Sequence, residues 1–158
     1  MRVDVVESLP ALEEATKSAA GDTGVERALR GFLAAIDSDD SLFACDARDP
    51  AYVGADVCSA DFALRFRAER LRGSRRMHLS LVEKLVELLK VAGSSESLVA
   101  FLALLPGTGE MALGIRLEAR GSSAEQAGLR WGLGVAHLQQ ALLFASRYLR
   151  QQMAQSGN

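Results

Sequence analysis

Apolar residues fall first at helical spacing, then at every second position, then at helical spacing again, and these changes of period divide the chain into elements. Ser8 to Ala20 reads as a short helix: Ser8 stands where a cap belongs, and Pro10 sits in the first turn, where a missing N–H is harmless. Gly21 ends it. Thr23 and Glu26 have the T-x-x-E spacing of a capping box, and Val25, Leu29, Phe32, Leu33 and Ile36 share one face of the helix expected over 24–37. Short apolar pieces between turn formers follow. Leu42 to Cys45 and Tyr52 to Cys58 read as short strands. In FALRFRAERLR, Phe62, Leu64, Phe66 and Ala68 alternate with Ala63, Arg65, Arg67 and Glu69, giving one apolar and one charged face and therefore a strand.

MHLSLVEKLVELLKVAG returns to helical spacing. Leu79, Leu81, Val82, Leu85, Val86, Leu88, Leu89 and Val91 cover more than one stripe, so this central helix has two surfaces to bury, one on a sheet and one on a partner subunit. SLVAFLALL is an apolar run of strand length. After PGTG, Met111, Leu113, Ile115, Leu117 and Ala119 alternate with Ala112, Gly114, Arg116, Glu118 and Arg120, and the pair predicts a β-hairpin. Ser123 and Gln126 are spaced to cap a long last helix through Trp131, Val135, Leu138, Leu142, Ala145 and Leu149. Gly128, Gly132 and Gly134 each weaken it by roughly 1 kcal/mol relative to alanine. The expected fold is α+β: an antiparallel sheet with N-terminal helices, a central apolar helix and a long C-terminal helix. An all-α bundle is the alternative.

With 158 residues the chain reads as a single domain, residues 1–158, large enough for a sizeable core. Its 49% hydrophobic and 24% charged residues are ordinary for a globular protein. A net charge of −2 gives no general pull on nucleic acid. The charge is nevertheless segregated. Residues 37–61 carry seven aspartates against Arg48, and residues 62–76 carry six arginines against Glu69. The expected reading is that the two blocks balance each other across a hairpin. MRVDVVESLP has no basic, then apolar, leader pattern, and no run reaches the ~18 apolar residues of a membrane helix. The expectation is a soluble, cytoplasmic protein with Cys45 and Cys58 reduced, and the richness in Ala, Arg, Gly and Leu fits a GC-rich bacterial genome.

Candidate chemistry is sparse. GTG lacks the lysine and the following helix of a phosphate loop, so it reads as a turn. A calcium loop begun at Asp37 would place Leu42 where glycine is wanted and Arg48 where glutamate is wanted. His78 and His137 have no metal-ligand spacing around them. The expectation is no enzyme, no metal and no cofactor. AEQAGLRWGLGVAHLQQAL fits a helix-turn-helix register loosely, through Gly128, Gly132 and Leu138 with Trp131 and Leu133 packing and His137, Gln139 and Gln140 toward DNA. A DNA-binding regulator is therefore the alternative function, against one packed helix with a glycine-softened start.

LVEKLVELLKVAG, SLVAFLALL, MALGIRLEARG and GLGVAHLQQALLFASRYL, in this order, resemble the class I type III secretion chaperones, as do the length, mild acidity and α-β-β-β-α-β-β-α order. The resemblance covers the C-terminal half and is one of pattern. It implies a non-enzymatic homodimer, paired largely through the central helix at Leu79, Val82, Val86 and Leu89. It also implies a protein client held as an extended segment, for which Phe62, Leu64 and Phe66 are the candidate surface; an extended chain adds to a strand edge and seats alternate side chains.

Overall fold

The period-two segments pair into one sheet, and the helical segments cover one of its faces. The computed structural model describes residues 2–6, 23–38, 41–48, 50–91, 98–107 and 109–156; the helix expected over Ser8 to Ala20 lies outside them. The elements run β1 (Arg2–Val6), α1 (Thr23–Ile36), β2 (Phe43–Arg48), β3 (Tyr52–Val53), β4 (Val57–Phe66), α2 (Glu69–Arg72), α3 (Arg75–Val91), β5 (Leu98–Pro106), β6 (Met111–Arg120) and α4 (Ala124–Ser156). The fold is α+β with a long C-terminal helix, and the all-helical alternative is excluded by the sheet.

Strand order is β1-β5-β6-β4-β2, with β3 beside β4. The expected hairpin forms the centre: Leu98 faces Ala119 across β5 and β6, and Pro106 faces Met111. Its turn closes with the Gly107 N–H on the Glu110 carbonyl at 2.8 Å, and Gly109 has φ +75°, a backbone region that disfavours side chains. Gly107 and Glu110 thus close a turn between β5 and β6, as expected from the missing lysine. β4 pairs antiparallel with β6 and β2. Tyr52 to Cys58 is not one strand. The Gly54 N–H donates to the Val57 carbonyl at 2.7 Å, folding the segment into a β3–β4 hairpin with Val53 opposite Cys58. β1 lies parallel to β5, Arg2 opposite Val99, so the sheet is mixed. Five residues of alternation are too short a signal to read as a strand without its neighbour.

Register explains burial. Cys58, Ala60, Phe62 and Leu64 stand opposite Ala119, Leu117, Ile115 and Leu113, and the row continues into Ala100 and Leu102 of β5; all are buried. Side chains in a strand alternate between faces, so one covered face collects the apolar set. The helices lie on that face. α1 reaches it through Phe32, whose ring centroid is 5.4 Å from that of Phe62. α3 reaches it through His78, edge-on to Phe66 at 4.9 Å. α4 crosses β6 and β4 and touches both α1 and α3.

α4 begins as its sequence predicts, with Ser123 Oγ accepting the Gln126 N–H at 3.1 Å. The Gln126 side chain turns back to the Ser122 N–H and hydroxyl, one residue earlier than a reciprocal box. Glu26 of α1 makes a tertiary contact, its Oε2 accepting the Ala51 N–H at 3.2 Å. Trp131 is buried, and its indole Nε1–H donates to the Val25 carbonyl at 3.1 Å, tying α4 to the first turn of α1. Trp131→Phe removes that donor and leaves a void beside α1. We expect a loss of about 1–3 kcal/mol in urea-induced unfolding with an unchanged m value.

Candidate partner-binding surfaces

Two sets of side chains were expected to face partners, and the structure places most of them inside. Phe62, Leu64 and Phe66 do share one strand face, but it is the face that α1, α3 and α4 cover, and all three are buried. Their alternation signalled a covered sheet face; nothing in a period of two says whether the cover is a client or the chain's own helices. In the central helix, Val82 and Leu89 are buried and Val86 is half-buried against the core. Only Leu79 stands out, at 41% exposure. The second apolar side of α3 is taken up by α4. Its outer positions are Arg75, Arg76, Glu83, Glu87 and Lys90, a charged surface beside the single leucine. These four residues therefore do not form an apolar seam.

The two charged blocks meet in part as expected. Arg67 Nη2 contacts Asp37 at both its carbonyl (2.6 Å) and its Oδ1 (2.9 Å). Arg72 donates to the carbonyls of Phe66 and Arg67 at 2.9 and 3.0 Å, fastening the end of β4 to α2. Two arginines of the basic run thus hold the chain's own backbone. His78 is buried with Nδ1 2.7 Å from the Ser74 carbonyl and Nε2 3.2 Å from the Met111 carbonyl, so its ring links α3 to the start of β6. Cys45, half-buried, and Cys58, buried, are not joined by a disulfide.

The sheet has two unlike edges. At β2, outward N–H groups are taken by side chains: Phe43 donates to Ser41 Oγ at 3.1 Å and Cys45 to Asp37 Oδ1 at 3.3 Å. The ladder also shifts register between Cys45 and Ala47. Side-chain caps and bulges are the devices that stop an edge from pairing with another chain. At the other edge, β1 pairs with β5 on one side only, and among the described residues no strand pairs with its outer side.

The sheet face away from the helices is polar at its centre and apolar toward β5. Arg116 meets Asp61 across β6 and β4 by two 2.7 Å bonds, Nε to Oδ1 and Nη2 to Oδ2. Their side chains are only 14% and 16% exposed. Val99, Phe101 and Leu105 of β5 lie beside them, half-buried.

α4 carries the largest apolar exposure among the described residues. Leu129 is 66% exposed, Leu133 62% and Phe144 58%. The glycine-rich stretch that loosely fits a helix-turn-helix register is one unbroken helix from Ala124 to Ser156, with no turn between Gly128 and Leu138. Trp131 packs as expected there, whereas Leu133 faces outward. Sequence reasoning passed over this stripe, although Leu129, Leu133 and Phe144 recur at helical spacing; the inward stripe of the same helix is longer and dominates the pattern.

Among the described residues no three His, Cys, Asp or Glu side chains group as a metal site, and no helix is long and apolar enough to cross a membrane. No family model, no curated protein and no solved structure matches the chain.

Asp61→Ala removes two 2.7 Å bonds from the Arg116 guanidinium in a mostly buried position. The expected loss is roughly 2–3 kcal/mol in chemical denaturation, with Arg116→Met in the Asp61→Ala background recovering part of it.

Proposed function

We propose that this chain is a non-enzymatic, dimeric binding protein of the secretion-chaperone kind, acting in the cytoplasm and holding an extended segment of a client protein along β1. The observation that carries this reading is the asymmetry of the sheet edges. One edge is closed by Asp37, Ser41 and a register shift; the other ends in β1. A strand edge offers a row of N–H and C=O groups, and an extended chain satisfies them without needing a particular sequence. That suits a protein that must recognise an unfolded stretch rather than a folded surface.

The side chains around β1 supply the rest. Phe101 stands opposite Asp4 and Val99 opposite Arg2, so an added strand lies one strand away from the apolar part of the uncovered face. α3 packs along the other side of β1. Alternate side chains of a client would meet these two surfaces, giving selectivity for apolar residues at every second position.

The test is a titration with fluorescently labelled, overlapping 20-residue peptides of alternating apolar pattern, coupled to hydrogen exchange. Binding with slowed exchange at residues 2–6, and no change at β2, is the expected result. No binding at about 100 μM peptide, or protection confined to β2, overturns the edge reading. Salt-dependent retention of random duplex DNA would return the regulator alternative.

A further inference from the structure

We infer that the outer stripe of α4 is the seam on which a second copy of this chain packs, with the two α4 helices antiparallel about a two-fold axis near Ala136. This deepens the dimeric part of the reading above and moves the seam from the central helix to the last one.

Three of the four large hydrophobic side chains that stand exposed among the described residues belong to this one stripe: Leu129, Leu133 and Phe144. Ala136, Gln140 and Arg147 are exposed positions of the same stripe, since residues three and four apart share a helix face. From Leu129 to Phe144 the stripe runs about 22 Å at 1.5 Å per residue.

The stripe complements itself in one register. Turning the helix over about Ala136 brings Leu129 against the second copy's Phe144 and Leu133 against its Gln140. The same operation sets Glu125 beside the second copy's Arg147, so each end of the seam closes on opposite charges. Ala136 falls on the axis with Gly132 one turn away, and two small side chains at a crossing point let helices approach closely. Antiparallel helices also place their dipoles favourably. A parallel arrangement has none of this: it stacks Glu125 on Glu125 and Arg147 on Arg147.

The glycines point the same way. A methyl group added at Gly128 or Gly132 meets nothing within 4 Å, so no neighbour among the described residues requires glycine there. Each weakens the helix by roughly 1 kcal/mol relative to alanine. Close approach of an outside helix supplies a steric reason at Gly132 that the described residues do not.

The apolar side chains supply part of the area of an isologous contact between copies. Three such side chains offer roughly 350 Å² of apolar surface, near half of the ~800 Å² per partner in a standard interface. Glu125 and Arg147 form its polar rim, and Gln140 lies within it. A closed two-fold contact uses the same patch on both copies and leaves no stripe uncovered.

The experiment measures mass by sedimentation equilibrium across protein concentration. The full chain is expected to approach about 34 kDa, twice the 16.9 kDa of one copy. Leu133→Glu and Phe144→Glu should each return it to one copy with unchanged circular dichroism, both sites being exposed. Glu125→Arg and Arg147→Glu should each weaken association several-fold, and the two together should restore it. Ala136→Cys should give a disulfide-linked dimer on non-reducing gels, whereas Leu79→Cys should not. A single-copy mass at about 100 μM, a dimer unmoved by Leu133→Glu and Phe144→Glu, or cross-linking through Leu79→Cys alone overturns the proposal. None of these outcomes bears on peptide capture at β1, which the titration above reads separately.

Discussion

α4 is the element on which the rest of the fold leans. Its inward stripe packs on β4 and β6 and touches both α1 and α3, so one helix closes the core from three directions. Ala127, Trp131, Val135, Leu138, Leu142, Ala145 and Leu149 supply that stripe, and all are buried. Burial of each large member is worth about 1.5–3 kcal/mol, far more than the helix gains from its own caps. The Trp131 hydrogen bond to Val25 adds direction to this non-directional attraction by fixing where α1 sits.

That arrangement leaves the protein one-sided. The described helices cover one sheet face, and the other keeps a charged centre built from Asp61 and Arg116 beside the apolar residues of β5. The edges differ in the same way: side chains close the one at β2, and among the described residues the other ends in β1. The proposed binding function uses surfaces of this kind: an edge can recognise backbone, and a stripe on a helix can recognise another helix. The two surfaces lie on different elements, so the proposed client capture and the proposed pairing of copies need not compete.

The charge blocks illustrate how a conspicuous sequence feature turns inward. Six arginines in fifteen residues suggest a phosphate-binding patch, yet Arg67 holds Asp37 and Arg72 holds the backbone at the end of β4. Arg72 serves carbonyls left where β4 gives way to α2, and Arg67 serves the Asp37 carbonyl just past α1. Their role was visible in the sequence only as a nearby acidic block of opposite sign.

Local pattern alone determined the elements whose period was long and unbroken. The β5–β6 hairpin, α1, α3, α4 and the alternating β4 follow from spacing, caps and turn residues, because each satisfies its backbone and sorts its side chains within a few neighbours. β1 and the fold of Tyr52–Val57 into a hairpin did not, since a short strand exists only through its partner. The direction of burial was likewise beyond the sequence. Phe62, Leu64 and Phe66 read equally well as core or as a surface for a partner, and α3 read as having a face to spare. Tertiary packing decided both by laying α4 against α3 and over the sheet, which left the uncovered apolar stripe on α4 instead. Periodicity reports that a face must be covered; which element covers it depends on distances between segments far apart in the chain.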